Sequence, residues 1–231
     1  MKLLSGNQLK ILAAIFMTID HLGFYIFPGH AIFRMIGRLA YPIFAFSFAE
    51  GCRYTKNRTK HFFVLFIVAF ICQIVYTFMK DSLYQNILVT LLLSAISIYT
   101  YDFAKKTDSF LGYLMAISVL IGIFYICTVL PSVIGHGFKI DYGFYGVLLP
   151  VFAYLGKTKQ EKIFMLSMGL LLLIPYIGKV QIYSLFSLPI IALYNGNRGK
   201  WRMKNFFYIY YPLHLVAIYF LDIFLSKWNI L

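Results

Sequence analysis

The chain alternates between long apolar runs and short polar breaks, and that alternation restricts its fold more than any motif within it. The runs lie at about 9–27, 31–51, 61–79, 83–101, 110–130, 142–156, 161–178, 180–194 and 206–226. Most are roughly 18–21 residues long, which suits helices crossing a hydrocarbon core about 30 Å thick. In lipid, every backbone N–H and C=O must find a partner within the protein, so a bundle of helices is the natural outcome. The residues are 61% apolar and only 13% charged, which excludes disorder and departs far from a soluble domain. The expected fold is an all-α polytopic membrane protein, a bundle of about nine transmembrane helices in one domain, residues 1–231. The sixth and eighth runs are short, and only Gly178-Lys179 separates the seventh from the eighth, so eight or ten spans also fit.

The net charge of +13 does not point to nucleic acid, because the basic residues punctuate the apolar runs. One set of alternate loops holds Lys2, Lys10, Arg53, Lys56, Arg58, Lys60, Lys105, Lys106, Lys157, Lys159, Lys162, Arg198, Lys200, Arg202 and Lys204. The opposite set holds Lys80, Lys139, Lys179 and Lys227. The positive-inside rule then places the N-terminus in the cytoplasm and, with nine spans, the C-terminus outside. A multi-pass protein of the bacterial inner membrane is expected. The first run lacks a small-x-small cleavage site and carries Asp20-His21, so it is read as a span and not as a signal peptide. Cys52, Cys72 and Cys127 have no metal-type spacing; they are read as packing residues, and no metal is expected.

Function is sought among ionisable residues inside the apolar runs, where a charge costs a few kcal/mol or more and faces a partner or a polar cavity (about 2.5–3.5 kcal/mol on lenient scales). Asp20 and His21 lie in the first run, Arg34 and Arg38 in the second, and His214 in the last. At about 1.5 Å per residue, His21, Arg38 and His214 each sit roughly 10–12 Å from one end of their spans, so they can share one cavity. Arg34 and Arg38 are four apart and share a helical face that Tyr41 continues. Two neighbouring cations need an anion or a carboxylate, and Asp20 is nearest in depth; the pattern fits either an Arg–Asp clasp or an anion or carbonyl site. His21 is the leading general-base candidate. His214 follows Tyr211-Pro212, where the proline frees a carbonyl one turn earlier. Glu50 closes the second run beside Arg53. Asn86 and Asp141, before helical or glycine-containing segments, fit caps and turns as well as acceptor recognition.

At MTIDHLGFYIFPGH, IGRLAYPIFAFSFAEGCRYTKNR, QNILVTLLL, IDYGFYGVLLP and YYPLHL the chain resembles the TraX family, over nearly its whole length. That family includes proteins that acetylate the N-terminus of conjugative pilin. The resemblance implies an integral-membrane O- or N-acyltransferase that uses acyl-CoA, acetyl-CoA above all. It also places Asp20, His21, Arg34, Arg38, Glu50, Asn86, Asp141 and His214 within the family motifs, without fixing their roles.

Acyl transfer needs a base, donors for an oxyanion, and two substrates held in line. The expected catalytic residues are His21 as base, His214 as the reserve candidate, Arg38 for the oxyanion or acyl carbonyl, and Asp20 to set the charge of the group. Arg34, Tyr41, Glu50, Asn86, Asp141 and Tyr211 are expected to bind substrate. The donor would enter from the basic cytoplasmic face, and the acceptor would be a peptide N-terminus, a glycan or a lipid. Two other classes compete: a proton-coupled transporter or flippase using Asp20, His21 and His214, and a non-catalytic assembly partner. Against a transporter stands the lack of an internal repeat.

Overall fold

The computed structural model describes residues 3–80, 82–200 and 204–227, the side chains of 78–80, 204–208 and 226 excepted. Lys2 and Arg202, which contribute to the loop-charge asymmetry, lie outside the described residues. The chain is mostly helical: α1 (Gly6–Tyr25), α2 (Ala31–Gly37), α3 (Ala40–Tyr54), α4 (Arg58–Lys80), α5 (Ile87–Thr107), α6 (Phe110–Thr128), α7 (Leu130–Ile134), α8 (Gly143–Leu155), α9 (Lys159–Ile177), α10 (Ser187–Ala192) and α11 (Lys204–Lys227). A 3₁₀ segment, Lys179–Phe186, joins α9 to α10. Two-residue strands, β1 (Tyr84–Gln85) and β2 (Lys139–Ile140), pair in parallel.

Helix covers most of each apolar run, as 3₁₀ over Lys179–Phe186, but the helices differ from ideal spans in informative ways. Among the described residues five segments are long and apolar enough to cross a membrane: Ala31–Tyr54, Arg58–Thr77, Ile87–Thr107, Phe110–Thr128 and Lys159–Ile177. Gly143–Leu155 and Lys179–Ala192 are apolar but shorter, and Ile209–Leu225 is an apolar stretch within the 24-residue α11. Only 17% of the apolar window of α4, and 17% of that of α6, is buried within the protein. Phe63, Phe66, Phe70 and Ile74 lie exposed along α4, and Leu114, Ile117, Ile121 and Phe124 along α6. Helices apolar nearly all round and left uncovered need an apolar solvent, which is what a bilayer provides.

The helices gather into two compact units: residues 1–47 with 170–231, and residues 48–169. In the first, a capping box starts α1, with Ser5 Oγ accepting from Gln8 N–H and Gln8 Oε1 accepting from Ser5 N–H at 2.8 Å. The second run is not one continuous helix. It breaks at Arg38-Leu39 because Pro42 has no N–H for the Arg38 carbonyl and its ring crowds that group. Tyr41 lies beyond this break, buried in α3.

In the second unit, Ile123, Cys127, Ile140 and Val147 form a buried cluster, so Cys127 packs as a small hydrophobe. All three cysteines are free and buried. Polar side chains fasten the apolar helices to one another. Ser94 Oγ donates to the Val147 carbonyl at 2.8 Å, and Thr90 Oγ1 donates to the Asp141 carbonyl at 2.7 Å.

Candidate active site

Asp20 and His21 stand near the end of α1, and their side chains engage different partners. Asp20 faces α2. Its Oδ2 accepts from Arg34 Nη1 at 2.6 Å, and its Oδ1 from Arg38 Nη2 at 2.8 Å. α2 can come this close because residue 37 is glycine: a Cβ there would lie 2.2 Å from Asp20 Oδ1. Arg34 also stacks over the Phe24 ring, at 5.1 Å. Arg38 is more deeply set, its side chain 10% exposed against 31% for Arg34. Its Nη1 donates to Gln181 Oε1 at 3.5 Å, and its Nε to the Arg34 carbonyl at 3.4 Å. One carboxylate thus meets two guanidinium groups, which keeps both arginines in place and leaves the group with net positive charge.

His21 faces α11. Its Nδ1 lies 3.0 Å from Nε2 of His214, and His214 Nδ1 lies 3.0 Å from the Tyr210 carbonyl. The second contact decides the first. A carbonyl oxygen only accepts, so His214 Nδ1 carries a proton. With neutral rings, His214 Nε2 is then an acceptor, His21 Nδ1 donates to it, and His21 Nε2 holds a lone pair. Tyr210 stacks on His214, ring centroids 5.2 Å apart and nearly parallel, and Tyr211 meets it edge-on at 5.4 Å. Tyr210 also bonds through its hydroxyl to Thr18 on α1. The pair is therefore gripped from both helices. Arg34 and Arg38 lie within electrostatic reach of His21.

Beside the arginines a half-open cleft of about 240 Å³ is lined by Arg34, Arg38, Lys179 and Gln181, with Ile177 and Val180 as apolar walls. Gly178, at φ 119° and ψ 178°, makes the turn from α9 into the 3₁₀ segment that carries Lys179 and Gln181; only glycine adopts that backbone readily.

The remaining sequence candidates belong to the second unit, and each has a local structural partner. Glu50 Oε1 accepts from Lys162 Nζ of α9 at 2.7 Å and lies 3.7 Å from Arg53 Nε. Its main partner is therefore Lys162, which sequence spacing did not suggest. Asn86 caps α5, accepting from Leu88 N–H at 2.9 Å and donating to Gln73 Oε1 at 2.9 Å. Asp141 accepts from the Tyr84 hydroxyl at 2.7 Å, just before Tyr142 turns at positive φ into α8. Thr18, Tyr210, Lys179 and Gln181 are participants that the sequence reading passed over.

Comparison with known proteins bears on the whole assembly. The family described as "TraX: TraX protein" matches residues 5–222. The chain belongs to the TraX family. That match covers α1 and α2, which carry Asp20, His21 and both arginines, and reaches past His214 on α11. The TraX-family chain is 33% identical over 158 residues to "Uncharacterized protein RP591" of Rickettsia prowazekii (strain Madrid E), covering 68% of this chain and 58% of that one. It is 25% identical over 239 residues to "Probable fimbrial assembly protein FimC, serogroup H1" of Dichelobacter nodosus, covering 93% and 94% of the two chains. The chain spans little more than half the length of the Rickettsia relative. No solved structure matches it.

Proposed function

We propose that this chain is an acyl-CoA-dependent O- or N-acyltransferase of the bacterial inner membrane, with nine spans and a cytoplasmic N-terminus. It would move an acetyl or other acyl group to an amine or hydroxyl on a peptide N-terminus, glycan or lipid. The observation that carries the reading is the chain of bonds from the Tyr210 carbonyl through His214 to His21. It presents one imidazole lone pair, of fixed tautomer, close to a cationic group. Membership of the TraX family, associated with pilin acetylation, and the fimbrial-assembly name of the Dichelobacter relative support the same direction.

In this scheme His21 Nε2 takes the proton of the acceptor amine or hydroxyl as its N or O attacks the thioester carbonyl. Arg38 stabilises the oxyanion that forms, a contribution of roughly 3–4 kcal/mol for a well-placed donor. Collapse breaks the C–S bond, and the departing thiolate receives the proton held on His21. His214 steadies the tautomer and spreads the transient positive charge. Asp20 keeps the arginines from driving one another apart.

The test is mass spectrometry of membrane components after purified protein is given labelled acetyl-CoA. Label on a peptide N-terminus, a glycan or a lipid supports the proposal and names the acceptor. Substrate movement across liposomes without consumption of acyl-CoA would replace it with a transporter.

A further inference from the structure

We infer that the cleft beside Arg34 and Arg38 is a binding site for an oxyanionic group, a phosphate or a carboxylate. The binding claim stands on the cleft alone; its assignment to the acyl acceptor, which would then be an acidic molecule, rests on the acyl-transfer reading.

Three cations, Arg34, Arg38 and Lys179, line this cleft, and among the described residues no acidic side chain does. Asp20 offsets only part of that charge, and it does so from the α1 side of the arginines. Positive charge gathered along one opening attracts and orients anions. A second feature points the same way independently. Gln181 is fully buried, its Oε1 is held by Arg38, and its Nε2 has no hydrogen-bond partner among the described residues. A buried amide donor left unmatched costs about 1–3 kcal/mol, so one beside three cations argues for a ligand acceptor. Arginine and amide donors together suit the several oxygens of a phosphate or carboxylate.

Size narrows the ligand further. At about 240 Å³ the cleft is smaller than the roughly 300–1,000 Å³ of pockets that enclose a whole small molecule. It takes a group and leaves the rest of its carrier outside. The half-open form and the exposed position of Lys179 and Val180 give that carrier a way in.

The test uses the purified full chain in nanodiscs of phosphatidylcholine, without acyl-CoA, titrated calorimetrically with inorganic phosphate and separately with glucuronate. Saturable binding of either anion is expected, weakened about tenfold in Lys179→Gln, the size of effect of one charged hydrogen bond. Gln181→Leu should weaken it similarly; because that position is buried, its melting temperature is read alongside, and the exposed Lys179 variant decides if the leucine variant does not fold. Repeating the titration with phosphatidylglycerol in the nanodisc separates the sources. Loss of anion binding there assigns the cleft to a lipid headgroup phosphate, and persistence assigns it to a group arriving from water. No saturable binding in any arm, or equal affinity in wild type and Lys179→Gln, overturns the inference. Because no acyl donor is present, failure here leaves the acyl-transfer proposal to its own test, and the reverse holds too.

Discussion

The contact between His214 and the Tyr210 carbonyl, at 3.0 Å, determines which atom of His21 can act as a base. A backbone acceptor cannot switch roles, so the tautomers of both rings follow from it. His214→Gln would keep a hydrogen-bonding side chain at that point without an imidazole's fixed geometry, and a transfer rate between those of wild type and His214→Ala is expected from acyl-CoA assays. Tyr210→Phe removes the hydroxyl bond to Thr18 but keeps the stacked ring and the backbone carbonyl. Its expected outcome is a loss of about 1 kcal/mol of stability in thermal melts, with transfer nearly unchanged. Asp20→Asn takes the carboxylate from buried Arg38 and half-buried Arg34, and a loss of about 3 kcal/mol is expected. At this scale the sequence was legible where charge intruded into apolar runs. Asp20, His21, Arg38 and His214 stood out because such groups are costly in lipid. Tyr210 and Gln181 did not, since one is among 19 tyrosines and the other carries no charge.

Among the helices, the approach of α2 to α1 depends on Gly37, and the end of α2 depends on Pro42. Gly37→Ala would place a methyl group into Asp20 and push the helices apart; overpacking of this kind costs roughly 1–3 kcal/mol. Thermal melts should show that loss, and transfer should fall with it because Arg34 and Arg38 move. The second unit offers an independent check through Glu50 and Lys162, 2.7 Å apart. Lys162→Met alone should destabilise more than Lys162→Met combined with Glu50→Gln, because the single change leaves a buried carboxylate with only the more distant Arg53, at 3.7 Å. The interruption after Arg38 could be anticipated from Pro42, whereas the pairing of α3 with α9 through Glu50 could not. That pairing joins residues 112 apart in sequence, a distance at which helical spacing carries no information. Asn86 and Asp141 resolve as the cap and the turn that their neighbours foreshadowed.

For the whole molecule, apolar runs made the helical membrane class legible, and exposed faces on α4 and α6 agree with it. Among the described residues five segments have the length and hydropathy of full spans; Gly143–Leu155 and Lys179–Ala192 are shorter, limited by the turn at Tyr142-Gly143 and by the 3₁₀ segment. The proposed nine-span topology predicts that single cysteines placed near Lys157 and near Lys179 label from opposite sides with an impermeant thiol reagent. Labelling of both from one side would remove the α9 crossing. The account as a whole rests on His21 as the group that takes the acceptor's proton. The most direct test is the rate of coenzyme A release from acetyl-CoA by purified, correctly inserted wild type and His21→Ala in the presence of membrane extract. A fall of about 10²–10⁴-fold in the alanine variant is expected, and an unchanged rate would contradict the account.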